Sequence, residues 1–268
     1  MLAKLRRQRI LEVLRSSGGA RLAELAETLD VSEMTVRRDL DVLQSEGLVE
    51  RVHGGAMLVQ FGSEEPGFDK KVKREQAEKE AIARRAALMA RPGMAVALSA
   101  GTTTWLLARE LALVEGLTVV TNSLDAWAEL QRPGRLHAVI LTGGENRTPS
   151  GALVGPTADA AIRSLYFDLL FLGVHGFDPV AGVTTPNVGE AETNRAFISR
   201  SRRLVVVADH TKWRTTALCS MAALSDVDTL VTDDGLADDA RRQLESHVGE
   251  LVLAPVARQC TTDLRSPA

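Results

Sequence analysis

Two short stretches of the chain carry residue types that could do chemistry. The first, "SAGTTT" at residues 99–104, follows the apolar run "MAVAL" and opens the helical stretch "WLLARELA". Ser99, Gly101, Thr102, Thr103 and Thr104 would then bring hydroxyls and free backbone N–H groups together at a helix N-terminus, which suits an anion, above all phosphate. A plain threonine-capped helix start is the competing reading. Neither GxxxxGK[ST] nor GxGxxG occurs, which disfavours nucleoside triphosphates and dinucleotides. The second stretch, "VSEMTVRRDL" at residues 31–40, sets Arg37 beside Arg38. If Val36, Leu40 and Leu43 form the buried stripe of a helix, Met34 and Arg38 point away from the core while Thr35 and Arg37 lie on its flanks. In a major groove, Arg38 is expected to read base edges, because its fork matches the two acceptors of guanine, and Arg37 and Thr35 to position the helix against phosphates. Two solvated arginines are the plain alternative, and the surrounding elements decide between them.

Those elements favour DNA. Ile10, Val13 and Leu14 share one helical face, Leu22, Leu25, Ala26 and Leu29 a second, and Val36, Leu40 and Leu43 a third after the short break "DVS". Two short helices so joined make a helix-turn-helix, with Ser32 placed to cap the third helix and Gly47 to end it. "LVERVHGGAMLV" then reads as a hairpin in which Gly54 and Gly55 supply positive φ, the wing of a winged helix. On that wing Arg51 and His53 fit phosphate contacts and idle surface equally well.

Residues 59–74, polar and containing Pro66, read as a linker between a domain at 1–58 and another at 75–258, with a frayed tail at 259–268. In the second domain, apolar runs such as "LTVVT", "HAVILT", "DLLFLGV", "RLVVVAD" and "DTLVTD" alternate with helical stretches, the pattern of βαβ units in a mainly parallel, Rossmann-like sheet. Further polar candidates stand at apparent strand ends, where open α/β sheets bind ligands: Asn122, Gly143, Gly144, His175, Asp178, Glu190 and Lys212. Structural roles compete at each: a cap for Asn122, turns for the glycines, packing for His175, a solvated first-turn acid for Glu190. Asp178 and Lys212 fit either role.

The 268 residues, 45% of them hydrophobic, suit a globular chain of one large or two ordinary domains. Apolar runs stay far below the roughly 20 residues a membrane span needs, so no membrane partner is expected. Cys219 and Cys260 match no CxxC pattern, consistent with reduced thiols in a cytoplasmic protein, and no metal or cofactor is expected. A net charge of −3 argues against a DNA-compacting protein. Basic residues cluster instead at Lys4, Arg6, Arg7, Arg9 and Arg15 and at Arg37 and Arg38.

"VSEMTVRRDLDVLQSEGLVERVHGGA", followed in order by "SAGTTT", "TNS", "LTGG", "FLGVHGFD", "GVTTPNVGEAETNRAFI" and "VVVADHTKW", resembles the DeoR family of bacterial transcriptional regulators over nearly the whole chain to about residue 215. The resemblance implies a repressor of sugar or related carbon metabolism genes. Its C-terminal sensor domain, related to ribose-5-phosphate isomerase and glucosamine-6-phosphate deaminase, would bind a phosphorylated sugar or similar effector. Expected partners are that effector, a double-stranded DNA operator and at least a second copy of the chain, since one recognition helix covers too few base pairs for useful specificity. A sugar-phosphate isomerase or deaminase carrying a DNA-binding domain is the alternative, but an enzyme has no need of an outward Arg38 and a wing. The chain also departs from the family pattern, with Ser99 where many members carry Asp and "GVHGFD" where "GADGID"-like sequences are usual. A lost acid and a gained histidine argue against catalysis.

Overall fold

The computed structural model describes residues 3–17, 19–45, 48–52, 54–58, 67–131, 138–146 and 148–257. The chain divides into two units, Met1–Phe61 and Gly62–Ala268. Gly47, His53, residues 59–66 of the expected linker and the tail at 259–268 lie outside the described residues.

The first unit runs α1 (Ala3–Ser17), β1 (Gly19–Arg21), α2 (Leu22–Leu29), α3 (Glu33–Ser45), β2 (Val49–Val52) and β3 (Gly55–Leu58). Its core is the set of apolar faces read from the sequence: Ile10 and Leu14 from α1, Leu22, Leu25 and Leu29 from α2, and Val36, Leu40 and Leu43 from α3, closed by Val49 and Ala56. Asp30 makes the turn between α2 and α3 in the left-handed region, at φ 51°. A partly buried charge pair ties α1 to α3, Arg6 Nε donating to the buried Asp39 Oδ2 at 2.5 Å.

Helical periodicity gives no hint of β1, which pairs antiparallel with β3 in a sheet of order β1-β3-β2. This strand changes the meaning of the two wing glycines. Only Gly54 has positive φ, at +82°; Gly55 lies within β3, where a Cβ would meet the Ala20 carbonyl oxygen at 2.3 Å. Gly55 is thus a close-approach residue and not the second turn residue expected of it.

The second unit opens with α4 (Phe68–Val72), a helix inside the expected linker, and α5 (Gln76–Ala87). Phe68 is what draws α4 in: its ring meets Trp105 edge to face at 6.0 Å, and its N–H donates to Pro149 O. There follow β4 (Ala95–Leu98), α6 (Thr102–Leu111), β5 (Thr118–Thr121), α7 (Leu124–Leu130), β6 (Ala138–Leu141), β7 (Glu145–Asn146), β8 (Leu153–Val154), α8 (Pro156–Arg163) and β9 (Leu169–Gly173). The rest comprises β10 (Gly176–Asp178), β11 (Gly182–Thr185), α9 (Val188–Ser199), β12 (Leu204–Val207), a 3-10 turn at His210–Lys212, β13 (Cys219–Ala222), β14 (Thr229–Asp233), α10 (Asp238–Glu245) and β15 (Leu251–Ala254).

Seven strands form one sheet in the order β15-β14-β12-β9-β4-β5-β6, parallel at every pairing. Successive residues serve opposite faces: Val205 and Val207 pack with α5, α6 and α7, whereas Leu204 and Val206 pack with α8, α9 and α10. Covering on both faces explains why these strands read as unbroken apolar runs. From β4 the chain winds one way to β5 and β6 and the other way to β9, β12, β14 and β15. A crevice therefore opens beyond the C-terminal ends of β4 and β9.

Gly55→Ala should destabilise the first unit by about 1–3 kcal/mol through overpacking against β1. Gly54→Ala, strained only by its φ, should cost about 1–2 kcal/mol. Amide exchange of β1 and β3 measures both; unchanged protection in Gly55→Ala would show that β1 does not lie against it.

Candidate functional site

On α3 the inward stripe is fully formed, with Val36 and Leu40 at 0% exposure, and Met34 on the opposite side is 59% exposed. Arg37 and Arg38 are both exposed, and among the described residues neither has an ion-pair partner. Ser32 and Thr35 build the helix start: Ser32 Oγ accepts from the Thr35 N–H at 3.3 Å and bonds the Thr35 hydroxyl at 2.9 Å. Arg51 on β2 is engaged within the unit, its Nη1 lying 2.5 Å from Asp41 Oδ1 of α3. A half-exposed pair of this kind is weak and can yield to a phosphate.

In the second unit the "SAGTTT" stretch turns from β4 into α6. Gly101 is the N-cap at φ 152°, and no side chain caps the helix. The first N–H groups of α6 are thereby left to an outside acceptor, aided by the positive end of the helix dipole. Thr102 and Thr103 are 8% and 7% exposed at this opening. Thr104 is wholly buried and donates back to Gly101 O at 3.0 Å. Asn122 is a clamp, its Oδ1 accepting from Ala100 N–H at 2.8 Å and its Nδ2 donating to Leu153 O at 3.1 Å. Ser99, taken above as an effector contact, is 0% exposed, and its hydroxyl accepts from the Gly173 N–H at 3.0 Å. It joins β4 to β9 across the switch point and shapes the crevice from beneath.

Other candidates separate in the same way. Gly143 and Gly144, at φ 71° and 119°, turn the chain after β6, and a Cβ on Gly144 would lie 2.7 Å from Val154 O. Asp178 closes the β10–β11 hairpin, its Oδ1 accepting from the N–H groups of Val180 and Ala181 at 2.8 and 3.1 Å. That oxygen serves a turn, the structural role weighed for Asp178 from the sequence, while no partner is seen for Oδ2 among the described residues. Glu190, 8% exposed in the first turn of α9, accepts from the hydroxyls of Ser150 and Thr185. It is therefore not the solvated acid of the plain reading.

His175 follows β9, and its buried Nε2 has no hydrogen-bond partner. Burial, reinforced by the charges of Lys212 and Lys71, pushes its pKa down to about 4. Lys212 ends the 3-10 turn after β12, whose start is fixed by Asp209 Oδ1 accepting from Thr211 N–H at 3.2 Å.

Sequence reasoning missed a second ring of charges here. Lys79 of α5 is only 3% exposed and donates to the carbonyls of Lys71 and Arg74 at 2.6 and 2.5 Å, closing the C-terminal end of α4. Burial pushes its pKa down to about 8, opposed by Asp209. Glu75, in the left-handed region at φ 47°, has its pKa raised by burial and by the charges of Glu78 and Asp209. His210 Nδ1 lies 2.7 Å from Asp233 Oδ2, a hydrogen bond that raises the histidine's pKa. Burial works to raise Asp233, but hydrogen bonds from the His210 side chain and backbone hold it below its ordinary value. The strand-end rule applied to "VVVAD" and "LVTD" would have found Asp209, His210 and Asp233; nothing local signals Glu75 or Lys79.

A winged helix with an outward basic face, followed by an α/β unit with an uncapped helix at its switch point, defines a ligand-responsive DNA-binding regulator. Residues 6–60 match the family model of the DeoR-like helix-turn-helix domain and residues 74–234 that of the DeoR C terminal sensor domain. The HTH-type transcriptional regulator GlpR of Haloferax volcanii is 38% identical over 258 residues, 96% of this chain and 100% of that one. The glycerol-3-phosphate regulon repressor of Escherichia coli is 34% identical over 224 residues, covering 84% of this chain and 88% of the other. Among solved structures, ribose 5-phosphate isomerase A of Methanocaldococcus jannaschii aligns with 53% of this chain and 56% of its own at 16% identity, with a TM-score of 0.38. The chain belongs to the DeoR family of transcriptional regulators.

Among the described residues no helix is long and apolar enough to cross a membrane, and no cluster of His, Cys, Asp or Glu could hold a metal ion.

His175 stays neutral in the fold down to about pH 4, whereas in the unfolded chain it protonates near 6.5. The unfolded state then binds more protons, so stability falls as pH drops through that window, by at most about 1.4 kcal/mol per pH unit. Urea unfolding at a series of pH values should show wild type losing roughly 2–3 kcal/mol more than His175→Gln between pH 6.5 and 4. Parallel curves would mean that the histidine is protonated in the native state.

Proposed function

We propose that this regulator is a repressor of carbon-metabolism genes, acting as at least a dimer and controlled by a phosphorylated sugar or polyol bound beyond β4 and β9. The observation that carries the reading is the uncapped α6 N-terminus at the topological switch, with Thr102 and Thr103 at its mouth. The charges of Lys212 and Lys71 bear on neighbouring His175, adding long-range attraction for a phosphate dianion. The name of the glycerol-3-phosphate regulon repressor supports both the repressor role and the chemistry of the effector. The burial of Ser99, where many family members carry an acid, supports a binding role over an enzymatic one, since its hydroxyl is bonded within the sheet and not presented to a substrate.

On DNA, Met34 and Arg38 meet base edges while Ser32, Thr35, Arg37 and the wing, through Arg51 and His53, hold the phosphates. Arg38→Ala should then cost about 1–3 kcal/mol of specific binding and relax the preference at one base position. Arg37→Ala should weaken specific and nonspecific binding alike and make the salt slope shallower by about 0.9. Titration against operator and scrambled DNA separates the two; intact discrimination in Arg38→Ala would refute its role.

The sensor is tested by Thr103→Val combined with Lys212→Ala, which removes one hydroxyl and one charge from the proposed phosphate site. A ligand shifts an equilibrium only through its differential affinity for two states, so a chain unable to bind it stays in the DNA-binding state of the apo form. The folded double variant should remain on its operator at effector concentrations that release wild type. Release at the wild-type concentration would place the effector elsewhere.

A further inference from the structure

We propose that Glu75 and His210 are the hydroxyl-reading pair of the sensor, so that the effector is a phosphorylated polyol long enough to reach from the α6 loop to the end of β12. The inference rests on the sensor reading above and deepens it.

The imidazole of His210 is held on two sides. Asp233, fully buried at the end of β14, accepts from His210 Nδ1 and from the His210 backbone N–H, each at 2.7 Å, and from Gly235 N–H at 2.9 Å. Gly235 lies against the ring, where a Cβ would meet Nδ1 at 2.8 Å and Cε1 at 3.0 Å. One nitrogen is therefore committed, and the ring orientation with it. Nε2 has no partner among the described residues, although the side chain is 32% exposed. An imidazole so anchored presents one defined polar atom outward, a donor when protonated and an acceptor when neutral. A hydroxyl, which both donates and accepts, matches either state.

Glu75 supplies the second polar group. It belongs to the α4–α5 turn and lies close enough to Asp209, His210 and Asp233 for their charges to act on it. Among the described residues its carboxylate makes no hydrogen bond, and the backbone that presents it sits at φ 47°, where a non-glycine residue is costly. Lys79 holds that turn through the carbonyls of Lys71 and Arg74. A half-buried carboxylate without a donor is a place for a ligand hydroxyl.

Strand order sets the reach. β9 lies between β4 and β12, so the α6 loop and His210 follow strands about two spacings, or roughly 10 Å, apart. A bare phosphate cannot touch both ends; a phosphate on a chain of several hydroxyl-bearing carbons can.

The test uses the full chain, with affinities measured by calorimetry for inorganic phosphate, glycerol 3-phosphate, and five- and six-carbon sugar phosphates with their deoxy analogues, in wild type, Glu75→Gln and His210→Gln. Wild type should prefer its best polyol phosphate to inorganic phosphate by about tenfold or more. Each variant should lose most of that preference and its discrimination against the matching deoxy analogue while keeping its affinity for inorganic phosphate. Unchanged preference in both variants overturns the assignment of Glu75 and His210 alone. Loss of inorganic phosphate as well would mean that these residues hold the site together structurally, which also overturns it. Wild type binding no phosphate compound would sink the underlying sensor reading.

Discussion

The second unit depends on one constraint, a parallel sheet that winds outward in two directions from β4. Strands β5 and β6 follow on one side and β9, β12, β14 and β15 on the other, so the connections leaving β4 and β9 diverge and cannot cover the gap between them. The sheet must nevertheless stay bonded across that gap. The Ser99 hydroxyl does part of this, accepting from the Gly173 N–H, while Ser99 N–H donates to Phe171 O. A neutral hydroxyl at this buried point carries no charge to desolvate, which lets the strands close beneath the crevice.

Above the sheet, polar groups are arranged in two tiers. The lower tier is saturated internally: Asn122 clamps the α6 loop, Thr104 folds back on Gly101, Asp233 gathers three N–H donors and Lys79 is spent on two carbonyls. Those bonds satisfy groups that burial would otherwise penalise and hold the upper tier in place. The upper tier, comprising the α6 N-terminus, Thr102, Thr103, Glu75, His210 and Lys212, retains hydrogen-bonding capacity for a ligand. Lys79 ties this arrangement to the C-terminal end of α4.

The first unit works by a simpler rule. One stripe of α3 is consumed by the core, Asp39 is consumed by Arg6, and Arg51 is drawn to Asp41, so the face bearing Met34, Arg37 and Arg38 is what remains for a partner. Its charge is local, in keeping with a chain of net charge −3 that must bind DNA at one face without binding polyanions everywhere.

Much of this was legible in the sequence because it is local. The i, i+3, i+4 spacing of Val36, Leu40 and Leu43 determines which way Arg38 faces, and the apolar runs broken by helices determine a parallel sheet with covered faces. A glycine followed by threonines after a strand places a helix start at Gly101, and the structure shows it without a side-chain cap. Tertiary structure alone decided which strand-end residues have internal partners. Ser99, Asn122, Thr104 and Asp178 were open to either role in the sequence, and only the fold supplied their partners at Gly173, Ala100, Gly101 and the hairpin turn. Gly55 looked like a turn residue until β1 lay against it, and Glu75, Lys79 and His210 drew no notice until α4, α5, β12 and β14 met. Periodicity reports the direction a side chain takes from its own backbone; whether a polar group is free depends on what other segments bring to it, and those contacts lie between residues far apart in the chain.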